Sequence, residues 1–112
     1  MDGFEYRVIS QIANLDNVKY WHRNLERGKG FYINGFINHY PDFIIKMKSG
    51  KILLIEVKGD HLDGSDSERK IMLGTTWANK AGDKYRYFMV FDKKRVDNAY
   101  DLSSFIDLLK QF

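Results

Sequence analysis

Two apolar runs joined by a short turn carry three charged side chains at one end. Tyr40-Pro41-Asp42-Phe43-Ile44-Ile45 leads, through Lys48-Ser49-Gly50-Lys51, into Ile52-Leu53-Leu54-Ile55-Glu56-Val57-Lys58-Gly59. The Ser49-Gly50 punctuation predicts a hairpin that pairs residues 42–47 with residues 52–58. Such a fold returns the second strand beside Asp42. Side chains alternate faces along a strand, so Glu56 and Lys58 project from the same one. The Leu-Leu-Ile run marks the second strand as central and covered on both faces. Two carboxylates and an ammonium in one patch of an apolar sheet are costly unless compensated, and a metal ion is one compensation.

At 112 residues the chain reads as a single domain, 1–112, able to bury roughly 65% of its unfolded surface. Its 44% hydrophobic and 15% aromatic content supplies a core and excludes a disordered segment. No apolar run approaches the ~20 residues of a membrane span, and no signal peptide opens the sequence. The absence of cysteine excludes disulfide frameworks and cysteine zinc sites and suits a reducing cytoplasm. The net charge of +3 permits a nucleic-acid partner without demanding one. Basic residues gather locally, with Lys19, Arg23, Arg27 and Lys29 around the first strand and Lys46, Lys48 and Lys51 around the hairpin turn.

Helical periodicity places Phe4, Val8, Ile12 and Leu15 on one stripe over residues 3–15. A short strand follows at 18–22, a loop at Arg27-Gly28-Lys29-Gly30, and a second strand at 31–38 with Asn34-Gly35 as a bulge. After the hairpin, residues 59–66 form a polar turn and 67–81 a helix that stops at Gly82. Residues 85–91 make a further strand. A last helix from about residue 101 puts Leu102, Phe105, Ile106, Leu109 and Phe112 on one side. The expected architecture is an α/β (α+β) domain of order αβββαβα, with a mixed sheet of four to five strands flanked by helices.

Pro41-Asp42 followed by Glu56-Val57-Lys58 resembles the signature of the PD-(D/E)XK nuclease superfamily. The surrounding wording is similar to the C-terminal endonuclease domain of type III restriction enzyme Res subunits, as are Trp21-His22-Arg23-Asn24, Trp77-Ala78 and Tyr85-Arg86-Tyr87-Phe88-Met89-Val90. The resemblance covers roughly residues 4–91. It implies a restriction-endonuclease-like core and a Mg²⁺-dependent DNA endonuclease, Mn²⁺ being an alternative cation. It further implies metal binding by Asp42, Glu56 and the Val57 carbonyl, and Lys58 as the catalytic lysine. A helicase or translocase motor and a methyltransferase or specificity subunit are the implied partners, in a bacterial or archaeal cytoplasm. Two other readings use the same residues: a junction-resolving or repair nuclease, and a non-catalytic nucleic-acid-binding or assembly domain.

Glu5 falls inside the apolar stripe, at ~100° from Phe4 where Ile12 lies at ~80°. Related nucleases often carry a first-helix glutamate near the metal, which makes Glu5 an auxiliary acid and metal neighbour; the alternative is stabilisation of the helix dipole. Arg23, Asn24 and Lys70 are candidate DNA contacts. His22 and His39 lack the third ligand of a zinc site. Trp21, Trp77, Tyr85 and Tyr87 are expected to pack rather than to stack on bases. Gly28-Lys29-Gly30 lacks the spacing and terminal hydroxyl of a phosphate-binding loop.

Overall fold

A computed structural model describes residues 3–24, 31–34, 38–60 and 64–112. The chain runs α1 (Gly3–Ala13), β1 (Val18–Arg23), β2 (Ile33–Asn34), β3 (Asn38–His39), β4 (Phe43–Met47), β5 (Ile52–Lys58), α2 (Gly64–Ala81), β6 (Tyr85–Phe91), β7 (Tyr100–Asp101) and α3 (Leu102–Leu109). Five strands form one mixed sheet in the order β1-β4-β5-β6-β7. The first two pairings are antiparallel, and those of β5 with β6 and β6 with β7 are parallel. Helix α2 provides the crossover that a parallel β5–β6 pair requires.

The β4–β5 hairpin closes at Gly50, whose φ of +98° is a left-handed conformation that glycine adopts without steric cost. Phe43 pairs with Ile55 and Lys46 with Ile52, a register that puts Phe43, Ile45, Leu53 and Ile55 on one face. There they meet Val8 and Ile12 of α1, Phe88 and Val90 of β6, and Leu102, Phe105 and Leu109 of α3. On the other face Leu54 and Tyr87 pack against Leu73 and Ala78 of α2 and against Ile33. Strand β5 is thus central and covered on both faces.

The structure departs from the sequence reading in three places. Residues 31–38 do not form one strand of the main sheet. Instead β2 and β3 pair with each other, Ile33 against His39, in a separate two-stranded ladder. Gly35 of the expected Asn34-Gly35 bulge and the loop at residues 27–30 lie outside the described residues. Helix α2 begins at Gly64 rather than at residue 67, because its polar first turn, with Asp66 favourably near the helix N-terminus, shows no apolar period. Strand β7 has two residues, too short for any alternation to mark it. Among the described residues no helix is long and apolar enough to cross a membrane.

Candidate active site

Asp42 directly precedes β4, one step beyond the Phe43–Ile55 pair, so the register carries it opposite Glu56. Its Oδ2 accepts a 2.7 Å hydrogen bond from the Val57 backbone N–H, which fixes the carboxylate across the two strands. A strand residue turns its N–H and C=O to the same neighbour, so the Val57 carbonyl also faces the Asp42 side. Asn24 holds the approach to β4. Its backbone N–H donates to the Asp42 carbonyl at 2.8 Å, and its side-chain amide donates to the carbonyls of Phe31 and Pro41 at 2.6 and 2.9 Å. With its Oδ1 accepting from Phe31 N–H at 2.8 Å and the residue 6% exposed, Asn24 serves to place Asp42. The DNA contact expected of it has no free amide hydrogen to use.

The carboxyls of Asp42 and Glu56 lie close enough across the register for each to shift the other's titration. Burial raises the Glu56 pKa well above the ordinary glutamate value, and the neighbouring Asp42 charge adds to that. Burial also raises Asp42, against the pull of the Val57 N–H. One proton held between two carboxyls is the usual answer to like charges in contact. Lys70, from α2, supplies the counter-charge: its Nζ is 3.3 Å from Glu56 Oε2. Burial opposes the ammonium form of Lys70, but Glu56 and Asp66 outweigh it and hold the pKa above that of ordinary lysine.

Lys58 projects from the same face as Glu56, and its Nζ lies 3.2 Å from Asp66 Oδ2. The end of β5 that carries it is tied to the end of β6 by Asp60, whose carboxylate accepts the backbone N–H groups of Asp92, Lys93 and Lys94 at 3.1–3.4 Å. Glu5 Oε2 stands 3.8 Å from Arg23 Nη2, and the Arg23 charge in turn favours ionised Asp42. Behind the site, His39 Nε2 and the Tyr87 hydroxyl share a 2.6 Å hydrogen bond. Burial lowers the His39 pKa to about 4, helped by the Lys70 and Lys58 charges. Burial and the nearby carboxylates also keep the Tyr87 phenol protonated.

Lys70, expected as a DNA-backbone contact, stands beside the carboxyl pair. Asp66 was not singled out at all. The only sequence signal for either was their spacing of four on one helix, which places them on one face. Trp21 is 41% exposed on the edge strand rather than packed in the core, with its ring edge against Phe43. Trp77 and Tyr85 pack edge to face, as expected.

The oxygen donors suit a hard cation. Among the described residues no group of three or more His, Cys, Asp or Glu side chains converges. Two carboxylates and a main-chain carbonyl are what Mg²⁺, which keeps several of its waters, commonly uses. The chain matches no protein-family model, no curated protein and no solved structure.

Proposed function

We propose that this chain is a Mg²⁺-dependent DNA endonuclease domain built on a restriction-endonuclease-like core, similar to the cleavage domain of type III restriction enzymes. The observation that carries the reading is the Asp42–Glu56 carboxyl pair at the ends of neighbouring strands, with Lys58 two residues along on the same face. Cleaving a phosphodiester requires a deprotonated, aligned water and relief of the charge that builds on the phosphate. A bound Mg²⁺ supplies acidity to a water and positive charge to the phosphate, and Asp42, Glu56 and the Val57 carbonyl would hold it.

The remaining work falls to the chain's own groups. Lys58, held near the carboxyl pair, orients the attacking water and meets the scissile phosphate. Lys70 offsets the Glu56 charge at 3.3 Å and keeps that carboxylate in place. Asn24 holds the Asp42 main chain and the Val57 N–H fixes its carboxylate. Glu5, paired with Arg23 at 3.8 Å, adds an auxiliary carboxylate to the site. Sequence selection would come from the motor and methyltransferase or specificity partners, because this small domain offers little room for a separate reading module.

Plasmid nicking with and without Mg²⁺ or Mn²⁺ tests the proposal. Wild type should nick only with the cation, and Asp42→Asn, Glu56→Gln and Lys58→Ala should each abolish nicking while keeping the fold. Normal activity in any two of these variants would remove the assignment.

A further inference from the structure

A single carboxylate oxygen, Asp66 Oδ2, meets two ammonium groups. It lies 3.2 Å from Lys58 Nζ and 3.5 Å from Lys70 Nζ. The lysines come from different elements, β5 and α2, and their side chains are only 11% and 22% exposed. Asp66 is 57% exposed. The fold thus fixes both cations, while the anion between them stands at the surface on a short, rotatable side chain. Exposed ion pairs of this kind are weak and easily exchanged, whereas an ammonium withdrawn from water needs an anionic partner. Glu56 serves Lys70 at 3.3 Å but is itself buried and committed to Asp42. Asp66 is the replaceable partner.

We propose that Lys58 and Lys70 form a phosphate-binding pair, and that the Asp66 carboxylate fills it until a DNA phosphodiester takes its place. The proposal deepens the endonuclease reading and rests on it for the identity of the anion. A non-bridging phosphate oxygen accepts charge-assisted hydrogen bonds from ammonium groups as a carboxylate does, so the exchange keeps both lysines satisfied. A phosphate held there lies beside the Asp42–Glu56 pair, because Lys70 contacts Glu56 and Lys58 follows it by two residues. Asp66 is then an internal competitor: it keeps the lysines ordered in the empty site and weakens binding of any backbone that cannot displace it.

Binding of a short fluorescein-labelled duplex, followed by anisotropy in EDTA, tests this without any cleavage. Asp66→Asn removes the competing charge and should tighten binding about threefold to tenfold. Asp107→Asn is the control, since Asp107 lies on α3, is 74% exposed and changes the net charge by the same amount. It should produce a much smaller gain. In a Lys70→Met or Lys58→Met background, the gain from Asp66→Asn should fall to the level of the control. Equal gains from Asp66→Asn and Asp107→Asn, or a gain that survives loss of either lysine, would overturn the proposal. The endonuclease reading fails separately, by an absence of cation-dependent nicking in a protein whose duplex binding still responds to Asp66→Asn.

Discussion

The two faces of the central sheet solve different problems. The face under α1 and α3 is apolar throughout: Phe43, Ile45, Leu53, Ile55, Phe88 and Val90 close on Val8, Ile12, Phe105 and Leu109. The face under α2 is divided. Near the α2 C-terminus Leu54, Tyr87, Leu73 and Ala78 pack as a second apolar cluster, but toward its N-terminus Glu56, Lys70, Lys58 and Asp66 form a chain of ion pairs. Burying charge costs stability even when it is paired. The first face can carry that cost because it buries the larger apolar cluster. One side of β5 holds the fold together, and the other holds a charged cluster that the fold must tolerate.

This contrast can be broken by substitutions that separate stability from activity. The largest stability loss should come from Phe105→Ala, at a fully buried position, with a cost of about 3–5 kcal/mol in urea unfolding. A cost under about 1 kcal/mol would show that the α3 face is not the main anchor.

The next effect is pH-dependent and belongs to the α2 face. His39 is neutral when folded, with its pKa lowered to about 4 from 6.5. Between those values the unfolded chain takes up a proton that the folded chain refuses. The stabilising contribution is therefore complete above pH 6.5 and is lost as the pH falls toward 4. Urea unfolding of wild type and His39→Gln across this range should show their stability difference shrinking by up to about 3 kcal/mol. A constant difference would mean that His39 titrates normally.

Gly74→Ala should cost about 1–3 kcal/mol, because a Cβ there runs into the Tyr87 ring. Gly74 lies one helical turn after Lys70, so pushing α2 outward should also weaken nicking. Full activity in a destabilised Gly74→Ala protein would uncouple α2 packing from the site. The smallest stability change should come from Glu56→Gln. Its amide can still donate to Asp42, so metal-free stability should stay within about 1 kcal/mol of wild type, while nicking disappears.

The apolar face was the more legible of the two. Helical stripes on α1 and α3 and the hairpin of β4 and β5 are periodic patterns, and each maps onto buried residues in the structure. The short pairings were invisible, because two-residue strands such as β2, β3 and β7 contain no period to detect. Asp42 and Glu56 stood out as charges in apolar runs, and the hairpin register brings them together. Lys70 stood out only as a candidate DNA contact, and Asp66 did not stand out. A lysine and an aspartate on a polar helix look like solvated surface until the helix is docked, and only the packing of α2 on β6, with Gly74 against Tyr87, turns them toward Glu56. Asn24 was hidden for the opposite reason: an asparagine after a basic strand suggests a surface contact, and its burial follows from chain tracing between Phe31 and Pro41.

The central claim is that Asp42 and Glu56 together hold a divalent cation, and thermal melting in Mn²⁺ or Mg²⁺ tests it most directly. A cation at ten times its Kd that binds only the folded state stabilises by about 1.4 kcal/mol, which for a domain of this size raises Tm by about 5 °C. Wild type should show this rise and Asp42→Asn should show almost none, while Asp107→Asn responds like wild type. An equal rise in wild type and Asp42→Asn would place the cation elsewhere and contradict the account.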